Sequence, residues 1–194
     1  MKIILLGDSC SGKTTVLKML QEKGYPVVFE EGLKRIPPEV EGNKLQSNLW
    51  FTKYYHERDR TLPLALVILE YCLQFQYPFT EAQFQSGKIT QEQREIALQL
   101  LDQHARDIPL EKETRVIHLV CSPEQIIERL QLRQMKDDAK QIHYRNILRH
   151  ATEQYFGARC IYHKIDTSNL SPEEVYNAIV ALFSQENIFF IPPK

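Results

Sequence analysis

The stretch from Gly7 to Thr14 reads GDSCSGKT and carries glycines, a lysine and a threonine at a spacing that suits phosphate binding. It matches the pattern Gly-x-x-x-x-Gly-Lys-Ser/Thr, between an apolar run and an amphipathic one, as this motif requires. The glycines let the backbone curl, so that N–H groups and a helix N-terminus point at phosphate oxygens. The Lys13 ammonium would neutralise terminal phosphates, and the Thr14 hydroxyl would bind magnesium. The spacing therefore predicts a phosphate-binding loop (P-loop) for a nucleoside triphosphate with Mg²⁺.

Every position of this P-loop is a candidate ligand, through a backbone N–H group or a side chain. The alternative is a plain strand–turn–helix junction in which the glycines serve only the turn. That alternative gives no reason for Lys13 and Thr14 to stand together at the start of a helix. The predicted nucleotide-binding residues are Gly7, Asp8, Ser9, Cys10, Ser11, Gly12, Lys13, Thr14 and Thr15.

The elements that must position this loop are visible as apolar runs separated by stretches of helical period. Because the runs alternate with helices and are continuously apolar, we expect an α/β fold with a parallel sheet covered on both faces. The predicted strands are Lys2–Leu6, Pro26–Phe29, Ala65–Leu69, Arg115–Val120 and Cys160–Ile165. The predicted helices are Lys13–Lys23, Asn43–Asp59, Ile126–Gln134, Lys140–Phe156 and Val175–Phe183. Ser171-Pro172-Glu173-Glu174 is the predicted cap of the last of these, and Thr90 with Gln93 starts a further helix. The tail Asn187–Lys194 is expected to pack back on the domain.

Composition narrows the class of protein. The 194 residues contain no repeat or flexible linker, which predicts one domain over residues 1–194. The net charge of −1 offers no overall field for a nucleic acid polymer or an anionic membrane. The first apolar run is too short for a signal peptide or a membrane span, which favours a cytoplasmic protein. The cysteines and histidines show no metal-ligand spacing, and we interpret them as structural.

Three passages resemble the P-loop nucleoside and nucleotide kinases, nearest to the deoxynucleoside kinase and thymidylate kinase branch. They are Lys2–Thr15, Arg115–Arg133 (RVIHLVCSPEQIIERLQLR) and Ile165–Phe183 (IDTSNLSPEEVYNAIVALF). The resemblance covers nearly the whole chain and implies a three-layer α/β/α P-loop kinase fold, with a five-stranded parallel sheet in the order 2-3-1-4-5. It also implies that donor and acceptor sites meet above the carboxyl ends of the strands, where doubly wound folds bind ligands.

Two acids end the second predicted strand, where the kinases that the chain resembles carry an acidic residue that binds or deprotonates the acceptor hydroxyl. On that basis we assign Glu31 to catalysis and Glu30 to acceptor binding. Arg35, one turn later, is assigned to an acceptor phosphate. A solvated pair of acids and a solvated arginine are the alternatives.

The third predicted strand ends in Glu70, and Tyr71 follows, whereas the kinases that the chain resembles usually carry an acid followed by arginine. The resemblance implies that Glu70 holds magnesium, directly or through water, together with Thr14. Tyr71 cannot supply the charge of the missing arginine. A solvated acid at the strand edge is the alternative.

Arg129 and Arg133 stand at positions i and i+4, on one face of the helix after the fourth strand. They match the lid of the kinases that the chain resembles, where arginines close over the transferred phosphoryl group and neutralise its charge. We therefore predict a lid over about residues 129–150, with a solvated helix as the alternative.

The predicted helix Asn43–Asp59 mixes polar and aromatic side chains, in the region that lines the acceptor site of those kinases. Gln46 and Trp50 are the predicted acceptor-binding residues, because an amide can bond the edge of a base and an indole can stack on its face. Ordinary core packing is the alternative for Trp50.

These residues together predict an ATP- and Mg²⁺-dependent kinase with a small-molecule acceptor, in first place a nucleoside or a nucleoside monophosphate. A kinase for a sugar, an antibiotic or a cofactor precursor, and a regulatory ATP-binding module, remain the alternatives. A GTP-dependent switch is disfavoured, because Asn43-Lys44 is not followed by the aspartate that binds guanine. The sequence does not give the oligomeric state, and a homodimer is compatible with it, because dimers are common among the kinases that the chain resembles. The predicted catalytic residues are Lys13, Glu31, Glu70, Arg129 and Arg133.

Overall fold

The computed structural model describes residues 1–63, 65–132 and 139–188. Within these ranges, five parallel strands form one sheet in the order β2-β3-β1-β4-β5, which confirms the expected fold and strand order. The strands are β1 (Lys2–Gly7), β2 (Val27–Val28), β3 (Val67–Glu70), β4 (Arg115–Val120) and β5 (Ile161–Asp166).

Two strands differ from the prediction in ways that matter for the site. β2 is shorter than expected and keeps only its two valines. It lies at the edge of the sheet, and Pro26 before it has no N–H group to donate. β3 runs one residue further than expected and includes Glu70, which pairs with Leu5 of β1. The carboxylate therefore stands on a buried strand end rather than on a loose loop.

The helices surround the sheet. They are α1 (Lys13–Glu22), α2 (Gly32–Arg35), α3 (Lys44–Arg60), α4 (Gln76–Gln85), α5 (Gln91–Ala105), α6 (Pro123–Leu132), α7 (Ala139–Gly157) and α8 (Pro172–Gln185). The predicted starts of α5 and α8 are confirmed, because each has a reciprocal capping box between its N-cap side chain and the N3 residue. No helix in the described ranges has the length and apolar character to cross a membrane.

The region after β3 was not predicted as helical. A 3₁₀ turn at Leu73–Phe75 leads directly into α4, which has no side-chain cap to mark its start. Pro78 lies in the first turn of α4, where a missing N–H group costs no helical hydrogen bond. The sequence therefore gives no usual start signal for this helix.

The core lies on both faces of the sheet. Ile3 and Leu5 of β1 pack on one face with residues of α1 and α8, whereas Ile4 and Leu6 pack on the other face with Phe156 of α7. Because β1 is central and buried on both sides, its end fixes the position of the loop that follows. Ile188 at the start of the predicted tail is buried in the first cluster, and residues 189–194 lie outside the described ranges.

Candidate active site

The P-loop leaves the end of β1 and enters α1 through backbone conformations that need glycine. Gly12 is the N-cap of α1 and has a φ of 93°, in the left-handed region. A Cβ atom on Gly7 would collide with the carbonyl oxygen of Leu119 on β4. Both glycines of the motif are therefore required by the local geometry.

Lys13 projects back into the loop that precedes it. Its side chain is buried, and Nζ donates to the carbonyl oxygens of Gly7 at 2.8 Å and Asp8 at 3.1 Å. The Ser11 hydroxyl is also buried and has no hydrogen-bond partner among the described residues. A buried donor without a partner costs free energy, and an anion in the loop would satisfy it. The loop therefore fits a phosphate group.

A second cation reaches the loop from α7. Arg149 donates from Nε to Asp8 Oδ2 at 3.1 Å, and its Nη2 donates both to the same oxygen and to the carbonyl oxygen of Cys121 at 2.6 Å. Burial raises the pKa of Asp8, and the charges of Arg149 and Lys13 oppose that rise. The pair fixes α7 above the P-loop, and the sequence carried no signal for it.

Arg129 of α6 also contacts the loop. Nη1 donates to the carbonyl oxygen of Cys10 at 3.0 Å, and Nη2 donates to those of Thr167 at 2.7 Å and Ser168 at 3.3 Å. This arginine therefore links the P-loop to the loop after β5. Arg133, its predicted partner, lies outside the described residues, as does the middle of the predicted lid at 133–138.

Glu30 and Glu70 lie together at the carboxyl ends of β2 and β3. The buried Glu70 accepts the backbone N–H of Glu30 on Oε2 at 3.2 Å, and Glu30 accepts the N–H of Gly32. Burial raises the pKa of Glu30, and the charge of nearby Glu70 raises it further. Hydrogen bonds from backbone N–H groups act in the opposite direction and lower this pKa. Together these carboxylates form an acidic centre at the sheet edge next to the P-loop.

The structure does not bring Glu31 and Arg35 to this centre. They form an exposed ion pair with each other at 2.5 Å, with side chains 44% and 62% exposed respectively. The chain turns into α2 directly after Glu30, so the two neighbouring acids lie in different surroundings. Of the two, Glu30 is the acid that faces the cavity beside the P-loop.

Tyr71 occupies the position where an arginine was expected. It has a left-handed φ of 58°, its hydroxyl donates to the carbonyl oxygen of Gly7 at 3.3 Å, and its ring centroid lies 5.2 Å from Lys13 Nζ. An arginine from another element nevertheless contacts this strand end. Arg58 of α3 donates to the carbonyl oxygens of Glu70 at 3.2 Å and Tyr71 at 2.8 Å. Buried Asp59 pairs with Arg58 and accepts the N–H of Leu73, which holds this strand end in place.

A cavity of about 270 Å³ starts at the P-loop and extends between α3, α4 and α7. Glu30 stands on its wall. Gln76 Oε1 and Tyr144 Oη belong to residues of the same wall, and both atoms are buried without a hydrogen-bond partner among the described residues. The remaining wall is mainly aromatic, with Phe51, Tyr55, Tyr71, Phe75 and Phe79. Such a wall suits a flat ring with polar edges.

The predicted residues of α3 lie elsewhere. Gln46 is exposed in the first turn of α3, and Trp50 stacks on Tyr54 with ring centroids 5.2 Å apart. Neither lines the cavity, whereas Phe51 and Tyr55 of the same helix do. Both aromatic pairs have i, i+4 spacing, so the sequence places each pair on one face of α3 but does not say which face meets the cavity.

The donors available for a magnesium ion are a hydroxyl and a carboxylate. Thr14 is exposed in the first turn of α1, and Glu70 ends β3. Oxygen ligands of this kind are those that Mg²⁺ prefers, so the residues present fit the ion.

Residues 3–153 match the family model described as an AAA domain, a range that includes the P-loop, β1 to β4 and most of α7. No curated protein sequence gives a significant match.

Several solved structures share the fold at low sequence identity. Deoxyadenosine kinase from M. mycoides with bound dATP has a TM-score of 0.74 and 15% identity, over 95% of this chain and 100% of that chain. Thymidylate kinase from Candida albicans has a TM-score of 0.65 and 15% identity, over 96% and 92%. The YorR protein from Bacillus subtilis, solved in complex with phosphorylated GDP, has a TM-score of 0.56 and 19% identity, over 98% and 100%. At these identities the likeness establishes the fold.

Proposed function

Because the chain belongs to the AAA domain family and has the fold of P-loop nucleoside and nucleotide kinases, we propose that it is an ATP-dependent kinase. It transfers the terminal phosphoryl group of Mg-ATP to a nucleoside or a nucleoside monophosphate. The observation that carries the proposal is the cavity that the P-loop residues Gly7–Ser9, Glu30 and an aromatic wall line together.

The donor side rests on the P-loop. Backbone N–H groups, the Lys13 ammonium and the Ser11 hydroxyl, which has no partner within the described part of the chain, provide the donors that a triphosphate needs. Arg129 and Arg149 brace the loop from α6 and α7, so it presents these donors in a fixed geometry. A fixed array of donors is the main source of catalysis in phosphoryl transfer.

The acceptor side rests on the aromatic wall. A nucleobase is a flat ring that stacks on aromatic side chains, and its polar edge needs hydrogen-bond partners. Phe51, Phe75 and Phe79 supply faces or edges of rings, and Gln76 and Tyr144 of the same wall carry polar groups that have no hydrogen-bond partner among the described residues. M. mycoides deoxyadenosine kinase and C. albicans thymidylate kinase, which share the fold, act on substrates that carry such bases.

The chemical step is an in-line displacement. An acceptor oxygen forms a bond to the terminal phosphorus while the bond from that phosphorus to the bridging oxygen breaks, and ADP leaves with the bridging oxygen. When the acceptor is a hydroxyl, the Glu30 carboxylate orients it and takes its proton. Lys13 neutralises the charge that moves onto the leaving oxygen.

Thr14 and Glu70 would hold a magnesium ion, which supplies further charge neutralisation when bound. Within the predicted lid over residues 129–150, Arg129 and Arg149 already contact the P-loop, and Arg133 would add charge neutralisation during transfer.

An acceptor screen tests this function. The purified chain is incubated with Mg-ATP and a panel of nucleosides, nucleoside monophosphates and small alcohols, and ADP and the phosphorylated product are both measured. We expect ADP formation that depends on one class of base-bearing acceptor. Tight ATP binding without turnover on any acceptor would contradict the proposal and favour a regulatory ATP-binding module.

A further inference from the structure

Three potential metal ligands converge on the side of the domain where α3 packs on α5. They are His56 of α3, His104 in the last turn of α5, and Asp107 in the turn that follows. Their ligand atoms all lie within 4.8 Å of one another. His56 Nε2 and Asp107 Oδ2 are 3.2 Å apart, and the two imidazole rings have centroids 4.2 Å apart. None of the three lines the cavity beside the P-loop.

The local structure holds two of these ligands side by side. The backbone N–H of Asp107 donates to the carbonyl oxygen of His104 at 3.2 Å, which closes a turn and brings both side chains to the same end of α5. His56 is buried beneath them, whereas the Asp107 side chain is 65% exposed. Packing of Tyr55 against Leu101 and Ile108 fixes α3 against this turn. The site therefore combines a rigid inner ligand with two adjustable outer ligands.

A plain hydrogen bond between His56 and Asp107 does not explain the second imidazole. The His104 ring lies beside that of His56, and its ligand nitrogen lies within 4.8 Å of the ligand atoms of both His56 and Asp107. An imidazole nitrogen is a common ligand of transition-metal ions, so a bound ion would account for all three side chains.

We propose that His56, His104 and Asp107 form a binding site for a divalent transition-metal ion of the Zn²⁺ class. Two imidazoles and one carboxylate with a position left for water match the ligand preference of Zn²⁺ rather than that of Mg²⁺ or Ca²⁺.

The distances are close to those that such an ion requires. In a tetrahedral zinc site the ligand atoms are about 3.4 Å apart. His56 Nε2 and Asp107 Oδ2, at 3.2 Å, are already close to this distance. The other ligand atoms are at most 4.8 Å apart, so binding would shorten these distances by no more than about 1.4 Å. Rotation of the exposed Asp107 and the half-buried His104 can supply this change. The site also lies at the C-terminus of α5, where the partial negative charge of the helix dipole favours a cation.

Metal binding at this site would connect α3 to the end of α5. Because α3 also carries Phe51 and Tyr55 of the cavity wall, the ion would stabilise the helix that shapes the acceptor side. An ion that binds only the folded chain raises its stability by mass action. The proposal stands independently of the kinase activity.

The test uses the purified, metal-free chain with Zn²⁺ titrated in competition with a chromophoric chelator. We expect the wild type to bind one equivalent, and His104→Ala and Asp107→Asn each to weaken binding at least about tenfold. His150→Ala, an exposed histidine on α7, is the matched control and keeps wild-type affinity. Zinc should also raise the melting temperature of the wild type and of His150→Ala, but not of His104→Ala.

Cobalt identifies the ligands, because Cys10, Cys72, Cys121 and Cys160 are free thiols that could bind metal elsewhere. Bound Co²⁺ should show visible d–d absorption without thiolate-to-cobalt charge transfer. Equal zinc affinity in the wild type and both ligand variants would overturn the proposal. A charge-transfer band from the bound equivalent would overturn it too, because the ion would then sit on a cysteine.

Discussion

Arg149 of α7 binds Asp8 of the P-loop through Nε at 3.1 Å, and its Nη2 reaches the carbonyl oxygen of Cys121 at 2.6 Å. The Asp8 side chain is only 5% exposed, and 141 positions separate it from its partner. One guanidinium group of α7 therefore joins the loop after β1 to the end of β4. The P-loop is therefore stabilised by a side chain of α7 as well as by its own backbone hydrogen bonds.

Removing this guanidinium should destabilise the fold. Arg149→Met leaves the buried Asp8 carboxylate without its partner, which we expect to cost about 3 kcal/mol in the free energy of unfolding. Asp8→Asn in the same chain removes the uncompensated charge and should recover part of the loss. Urea unfolding of both single variants and the double variant measures a coupling free energy, expected at about 1–3 kcal/mol.

The control for that cycle is Arg106→Met. Arg106 is exposed on the surface, and its replacement should change the free energy of unfolding by no more than about 0.5 kcal/mol. Additive effects of Asp8→Asn and Arg149→Met would show that the pair does not hold the loop.

Glu30 and Glu31 offer a matched pair of substitutions at the acidic centre. Glu30 lines the cavity, whereas Glu31 pairs with Arg35 at the surface. Glu30→Gln should lower kcat about 100-fold, because it removes the group that orients the acceptor hydroxyl and takes its proton. Glu31→Gln should change kcat by no more than about twofold, since an exposed ion pair contributes little. Steady-state kinetics with the acceptor found in the screen compares the two, and equal losses or a larger loss in Glu31→Gln would contradict the assignment.

His118 on β4 should make stability depend on pH. Burial, with the nearby charges of Arg149, Lys13 and Lys164, lowers its pKa to about 3, and its Nδ1 is hydrogen-bonded to the Tyr162 hydroxyl at 2.6 Å. The unfolded chain has an ordinary pKa of about 6.5 at this position, so it takes up a proton as pH falls below that value while the folded chain does not. The contribution of His118 to stability is complete above pH 6.5 and falls on acidification, by about 2 kcal/mol down to pH 5.

Urea unfolding at pH 7 and pH 5 tests this contribution. His118→Asn keeps a polar partner for Tyr162 but cannot gain the proton, so its stability should fall less between the two pH values than that of the wild type. His150→Asn, at an exposed position, should keep the wild-type difference. An unchanged pH dependence in His118→Asn would show that other groups cause it.

Much of this fold could be predicted from the sequence. The apolar runs gave all five strands, with β4 at the bounds observed, and the Ser-Pro-Glu-Glu and Thr-x-x-Gln patterns gave the starts of α8 and α5. Local patterns suffice there, because strand burial and helix capping depend on neighbours in the chain. The strand order came instead from resemblance to kinases, since periodicity alone does not say which strands pair.

The acceptor side was harder to predict, for physical reasons. Glu30 and Glu31 are chemically alike, and only the turn into α2 decides which one faces the cavity. Arg149, Tyr144 and Gln76 reach the site through packing of α7 and α4 on the sheet, contacts that no short motif encodes. His56 and His104 are 48 positions apart in sequence, although their rings are in contact.

The central claim is that the P-loop transfers a phosphoryl group, and Lys13 tests it most directly. Acceptor-dependent ADP formation should be measured in the wild type, in Lys13→Ala and in Lys18→Ala, an exposed lysine on the same helix. We predict that Lys13→Ala loses at least about 100-fold of the rate while remaining folded, and that Lys18→Ala keeps it. A Lys13→Ala chain that forms ADP at the wild-type rate would contradict the assignment of the P-loop to catalysis.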